Sequence, residues 1–419
     1  MNYKLFGRTL LILGGTAQQK KIIEAAREIG VRTIVTDYLD DSPAKILADK
    51  KYNIDINDID GLADLCLKEQ VDGVITCYID PCQRPYFELC ERMGYHCYGT
   101  KQQFQILTDK HCFKKFCIEN GIDVIPEYKE DQLDTVIYPV FVKPVDSRGS
   151  RGQRICSNEK ELIEAISAAK IESSNGDVII EKFMENSPEV QVTYFFVNGE
   201  AHLLRICDTY CGTKDNHMEK VASCSVSPSR FTNYYIDEYN DKIVEFLKKI
   251  GIKNGPVFMQ GFYDAGVFRF FDPGFRLPGV DYERILKKVY GFDLMINLVS
   301  FALCGSCGKI DIPKDVVYLK GKRTAILFPT IKSGIIDNII GAEKILSFEG
   351  VVSYISRYSK GDKIGWTYNV NQRLAEIDCI SDNTEILKKL LSDIQKEYYA
   401  IDADGANMIY DLFDVNRIV

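Results

Sequence analysis

An excess of positive charge is missing from this chain. Its 419 residues carry 52 Lys and Arg against 60 Asp and Glu, a formal balance of -8. That argues against a nucleic-acid binder, whose surface has to neutralise phosphates. A long apolar run is missing too: the longest, residues 294–304, is too short to cross a bilayer and reads as a buried helix. No basic, apolar and small-residue succession marks a secretory leader at the amino terminus. Histidine is scarce, at four residues, and Cys304-Gly305-Ser306-Cys307 has no second CxxC or His pair nearby. Core packing suits these two cysteines better than zinc. The first strand runs into Gly14-Gly15-Thr16, which is not the GxGxxG of a nicotinamide enzyme. Repeats and low-complexity tracts are absent as well.

What is present is globular. Hydrophobic residues make up 46% and charged residues 27%, the balance of a soluble protein. The length calls for two to four domains. The 14 cysteines sit inside apolar segments, as Cys66, Cys77, Cys90, Cys117 and Cys207 do. There they behave as small buried hydrophobes, which fits a reducing cytoplasm.

Apolar strands at residues 9–13, 33–36 and 73–76 alternate with amphipathic helices, the first placing Ile22, Ile23, Ala26 and Ile29 on one face. That order predicts a parallel, doubly wound sheet. Asp37, at the end of the second strand, stands where an acid can meet a ribose. From about residue 102 the texture becomes α+β, with a helix at 111–120 closed by Gly121 and another at 159–169. Two hairpins follow: 191–197 with 202–207 across Asn198-Gly199, and 257–263 with 267–271 across residues 264–266.

The most telling stretch is residues 138–152. An apolar strand delivers Lys143, Pro144 stops it, and the basic loop Ser147-Arg148-Gly149-Ser150-Arg151-Gly152 follows. Glycines let backbone N–H groups approach an anion, and the lysine adds fixed charge, so the pair suits nucleotide phosphates.

With Thr108-Asp109-Lys110 upstream and Glu181-Lys182-Phe183-Met184 downstream, this order resembles the ATP-grasp superfamily. It looks closest to its carboxylate–amine ligases and its biotin carboxylase and carbamoyl-phosphate synthase branch. The resemblance implies four units. A parallel α/β pre-ATP-grasp domain (1–101) precedes an ATP-grasp fold of two α+β subdomains, the lid (102–187) and the large subdomain (188–308). An α+β region (309–419) closes the chain. Lys110 and Lys143 match the phosphate lysines, and Ser147, Arg148, Gly149, Ser150 and Gly152 the lid loop. Glu181, Lys182, Phe183 and Met184 match the adenine hinge. There the backbone of Phe183 and Met184 would bond the purine edge, and Glu181 or Lys182 its amino group or N7. Glu189 stands at the ribose acceptor, with Gln191 on the same face. His217 and Lys220 match groups carried to the phosphates, and Arg276 an arginine that faces the acyl phosphate or substrate carboxylate.

The metal site departs from the family, which places a Glu and then Glu-x-Asn where this chain has Gln260 and then Asp272-Pro273-Gly274. If Tyr263 pairs with Val267, Asp272 lies opposite Phe258 and diagonal to Gln260, near enough to share an ion. Asp264 reads as a turn residue. Mg²⁺ needs only one or two protein carboxylates when phosphates fill its shell, so ATP and Mg²⁺ are the expected cofactors. The implied reaction activates a small-molecule carboxylate as an acyl phosphate and joins it to an amine. Bicarbonate carboxylation, a carbamoyl-phosphate synthase-like role, and an ATP-binding regulator without turnover are the alternatives. The resemblance also implies a homodimer, and neither nucleic acid nor membrane is an expected partner.

Overall fold

The computed structural model describes residues 5–145, 152–173, 175–212, 221–280, 282–308, 310–366 and 370–419. The continuous apolar runs form the inner strands of a parallel sheet. Its order is Lys50–Tyr52, Arg32–Thr36, Thr9–Leu13, Gly73–Ile75. The edge strand Lys50–Tyr52 has no apolar run, so hydrophobic patterning passes over it. The Asp37 carboxylate accepts from the backbone N–H of Gly15 at 2.7 Å and of Leu39 at 2.9 Å. It closes the loops of its own sheet.

Among the described residues the large sheet has eight antiparallel strands. They run in the order Val267–Gly274, Gly255–Asp264, Glu189–Val197, Glu200–Cys211, Ala222–Ser227, Arg323–Leu327, Ala375–Ser381, Val351–Ser356. Ala222–Ser227 pairs with Arg323–Leu327, so this sheet continues across residue 309. The side chains beyond it still form a core of their own, around Ile331, Leu374, Leu391 and Tyr398. A smaller sheet, Glu127–Tyr128, Val178–Lys182, Val140–Pro144 and Arg154–Cys156, packs on the helix Glu159–Glu172 through a third core. The two helices preceding it, Lys101–Thr108 and Lys110–Glu119, instead bury Phe104, Leu107, Phe113 and Cys117 in the main core. Thr100 caps the first through a capping box, and Asp109 caps the second by accepting from Cys112 N–H at 2.9 Å.

The second hairpin differs from its expected register. Asp264, and not Tyr263, pairs with Val267, because the turn has two residues, Ala265 (φ 49°) and Gly266 (φ 89°). Positive φ at both positions matches the twist of the flanking strands. A bulge at Phe271 then shifts the register once more, which sets Asp272 directly opposite Gln260. Gln260 pairs with Gln191 on its other side.

The apolar run forms the buried helix Leu294–Cys304, and no helix among the described residues is long and apolar enough to cross a membrane. Where the helix Tyr282–Tyr290 packs on the parallel domain, Glu283 is buried and accepts from Lys21 Nζ at 2.8 Å and from the Tyr78 hydroxyl. Removing one partner of a buried ion pair costs about 3–5 kcal/mol. Glu283→Ala is therefore expected to lower the unfolding free energy by about that much in a denaturant titration. A loss below about 1 kcal/mol, the value of a surface pair, would contradict this placement.

Candidate active site

The lid sheet, the large sheet and the carboxyl end of the parallel sheet enclose a cleft of about 1680 Å³. Lys143 enters it from the lid strand Val140–Pro144, and Lys110 from the first turn of Lys110–Glu119. Two ammonium groups from separate segments thus face one cavity. Lys110 Nζ lies 3.4 Å from Asp272 Oδ1. Lys143 is buried, with Phe141 and Phe271 rings 5.7 and 6.0 Å from its ammonium. Burial pushes its pKa down, and the Glu181 charge opposes that shift.

Glu181 is tied up more tightly than expected. Its carboxylate sits between Lys143 Nζ at 2.5 Å and Lys114 Nζ at 2.8 Å. Burial opposes its ionisation, but the two lysines prevail and hold its pKa below the usual value. Lys114, which sequence reasoning missed, also bonds Glu127 at 2.5 Å. The available signal was its position four residues after Lys110, on the same helical face. Lys182, which also lines the cleft, pairs its ammonium with Asp264 at 3.3 Å, and Asp264 also holds Arg269 at 3.2 Å. The Phe183 N–H is committed to Pro139 O at 3.1 Å, so it does not meet a purine edge as expected. Phe183 and Met184 both line the cleft, and the Met184 N–H has no hydrogen-bond partner among the described residues.

Glu189 also lines the cleft, 3.6 Å from Cys211 Sγ and 3.4 Å from Gln260 Nε2. Burial pushes its carboxyl up to about 7, and the Asp272 charge adds to the shift. The bulge places Gln260 and Asp272 side by side with Glu189 next to them, a row of hard oxygen donors across three strands. No group of three His, Cys, Asp or Glu among the described residues forms a closed metal cage. The row suits Mg²⁺, which keeps waters and phosphate oxygens in its shell.

At the far wall, Arg276 stacks over the Phe258 ring at 4.8 Å and clamps Asp80 through two hydrogen bonds, at 2.5 and 2.6 Å. Sequence reasoning missed Asp80. It stands just beyond Gly73–Ile75, at the carboxyl end of a parallel strand, where open α/β sheets place ligands. Gly152 has φ 66°, and a Cβ there would come within 2.8 Å of Pro144 Cγ, so the end of the lid loop requires glycine. Ser147, Arg148, Gly149, Ser150, His217 and Lys220 lie outside the described residues.

Comparison with known proteins fits this geometry. The family "Carbamoyl-phosphate synthase L chain, ATP binding domain" matches residues 113–262, and "PylC-like, N-terminal domain" matches 10–85. The chain superimposes on an L-amino acid ligase from Bacillus licheniformis with a TM-score of 0.76 and 17% identity, covering 95% of this chain and 99% of that one. Its fold is the ATP-grasp fold. A second similar structure, the biotin carboxylase domain dimer of 2-oxoglutarate carboxylase from Hydrogenobacter thermophilus, was solved with MgADP, ADP and bicarbonate. It gives a TM-score of 0.76 at 18% identity, over 95% of this chain and 91% of that one. A formate-dependent phosphoribosylglycinamide formyltransferase from Haloquadratum walsbyi is 29% identical over 191 residues, 43% of this chain and 47% of its own length. The chain spans about half the length of the curated relatives it matches.

Glu189 gives this ATP-grasp cleft a pH signature. Between its ordinary 4.5 and about 7, the unfolded chain releases the proton while the folded chain keeps it. Without nucleotide and magnesium, stability therefore falls as pH rises through that window. Glu189→Gln is expected to match the parent's melting temperature near pH 4.5 and to exceed it above pH 7. Equal melting temperatures at both ends would contradict the assignment.

Proposed function

We propose that this chain is an ATP-dependent ligase that activates a carboxylate as an acyl phosphate and joins it to an amine, releasing ADP and phosphate. The observation that carries this reading is the convergence of Lys110, Lys143 and Arg276, from three separate segments, on one cleft. The likeness to an L-amino acid ligase supports an amino acid as substrate. All fourteen cysteines are free thiols, which supports a reducing, cytoplasmic setting.

The obstacle is electrostatic, because a carboxylate has to approach a polyanion. Lys110 and Lys143 hold positive charge along the phosphate chain. Arg276, whose fork suits planar oxyanions, meets the incoming carboxylate in exchange for Asp80. A carboxylate oxygen then attacks the γ-phosphorus, and its bond to the β–γ bridging oxygen breaks as ADP leaves. The amine nitrogen next attacks the acyl carbon, loses its proton and expels phosphate, leaving an amide. Both steps rest on positioning and on charge held where negative charge gathers, with no side-chain nucleophile. Asp272, with Gln260 and Glu189, would hold magnesium, which supplies charge neutralisation at the phosphate oxygens.

An ADP-release screen over amino acids, with and without Mg²⁺, tests this reading. Release that needs both an amino acid and Mg²⁺ is expected, and Lys143→Ala should lower kcat/KM by about 10²–10³-fold. Release driven by bicarbonate alone would instead indicate a carboxylase. ATP binding without any ADP formed would indicate a regulator.

A further inference from the structure

Lys110, Lys143, Lys182, Arg230 and Arg276 line the cleft, and each has a carboxylate oxygen within 3.4 Å. Arg417 lines it as well and has no carboxylate partner among the described residues. There its guanidinium donates only to Cys211 O, at 2.9 Å, with the Tyr210 ring 5.4 Å away. An arginine carries five N–H donors and no acceptor, so most of this fork is left to the cleft with its charge uncompensated.

The fork is firmly seated. It belongs to the helical turn Val415–Arg417, between Phe413 and Ile418, both buried in the core behind it. Gln395 accepts from the Phe413 N–H at 2.7 Å and donates to its carbonyl at 3.0 Å. Arg230, whose charge Asp208 compensates, donates to the Tyr210 hydroxyl at 2.9 Å and fixes the ring that Arg417 covers. The sheet sets its distance from the chemistry. Asp272, Gln260 and Glu189 form a row across three strands, with Lys110 at the Asp272 end. Glu200–Cys211 is the next strand, and Cys211 Sγ lies 3.6 Å from Glu189. Arg417, bonded to the carbonyl of that same cysteine, therefore stands beyond the Glu189 end. The cleft thus offers cations on both sides of the row that suits magnesium.

We propose that Arg417 grips a carboxylate on the amine substrate, so that the acyl group is joined to an amino acid whose own carboxylate stays free. This rests on the ligase reading above. An acyl donor with one carboxylate spends it at the γ-phosphorus and at Arg276. A second oxyanion in the cleft then belongs to the amine. A guanidinium fork suits a planar carboxylate, and a neutral carboxamide would leave the charge unmatched. Sites built to bond a polar group reject analogues that lack it.

The test pairs amino acids as acyl donors with three kinds of amine: amino acids, their carboxamides, and O-phosphoethanolamine. Amide product is measured by mass spectrometry, with ATP and Mg²⁺, for the full chain, Arg417→Gln and Arg417→Lys. In the parent, kcat/KM is expected to be at least about tenfold higher for the free acids than for their carboxamides. Arg417→Gln should bring that ratio within about threefold by raising KM for the amine, while KM for ATP and for the donor change by less than about threefold. Arg417→Lys should restore part of the preference, since it keeps the charge and loses the fork. A rise in KM for the donor instead, or an unchanged ratio in Arg417→Gln, would overturn this inference alone. So would a parent that uses carboxamides as well as acids, or one that prefers the phosphate-bearing amine. Both are read without any variant, should Arg417→Gln fail to fold. No amide from any pair would overturn it together with the ligase reading.

Discussion

The Glu181 carboxylate, held between Lys143 and Lys114 with almost no solvent contact, is the constraint on which the site depends. Taking such charges out of water costs several kcal/mol each, and only close mutual pairing offsets that. The two lid strands and the helix Lys110–Glu119 therefore have to meet at this point. Once they do, Lys110 and Lys143 face the same cavity, and the lid sheet, which has its own small core, is tied to the body of the molecule. The ion triad thus links packing to chemistry.

The opposite wall is assembled by different means. A two-residue turn and a bulge at Phe271 bring Asp272 beside Gln260, and the strand Glu189–Val197 adds Glu189 to the row. This wall carries two carboxylates, Asp272 and Glu189, and the Lys110 contact with Asp272 offsets part of their charge. The Arg276–Asp80 clamp completes the cleft by linking the large sheet to the parallel domain. Lysines and arginines line the cleft beside its carboxylates, which suits an anionic nucleotide and an anionic co-substrate.

Much of this was legible in the sequence, for identifiable reasons. Continuous apolar runs marked the parallel strands, and Asp109 marked a helix start. Lys143 before Pro144 stood out because a strand-end lysine beside a glycine loop is chemically unusual. Three features were hidden. The edge strand Lys50–Tyr52 lacks hydrophobic pattern. The register of the second hairpin turned on one turn residue and one bulge, each a shift that patterning does not record. Lys114 resembled an ordinary solvated helix lysine, and only the strand carrying Glu181, 67 residues later, turns it into a buried partner. The partner of Lys182 was hidden for the same reason: the distant Asp264 decides where its ammonium goes.

The proposed ligase holds ATP in this cleft with its phosphates between Lys110 and Lys143. A crystal structure with a non-hydrolysable ATP analogue and Mg²⁺ tests it most directly. The expected result is a base against Phe183 and Met184, with phosphate oxygens within hydrogen-bond reach of both ammonium groups. Nucleotide bound elsewhere, or phosphates that leave either lysine facing empty solvent, would contradict it.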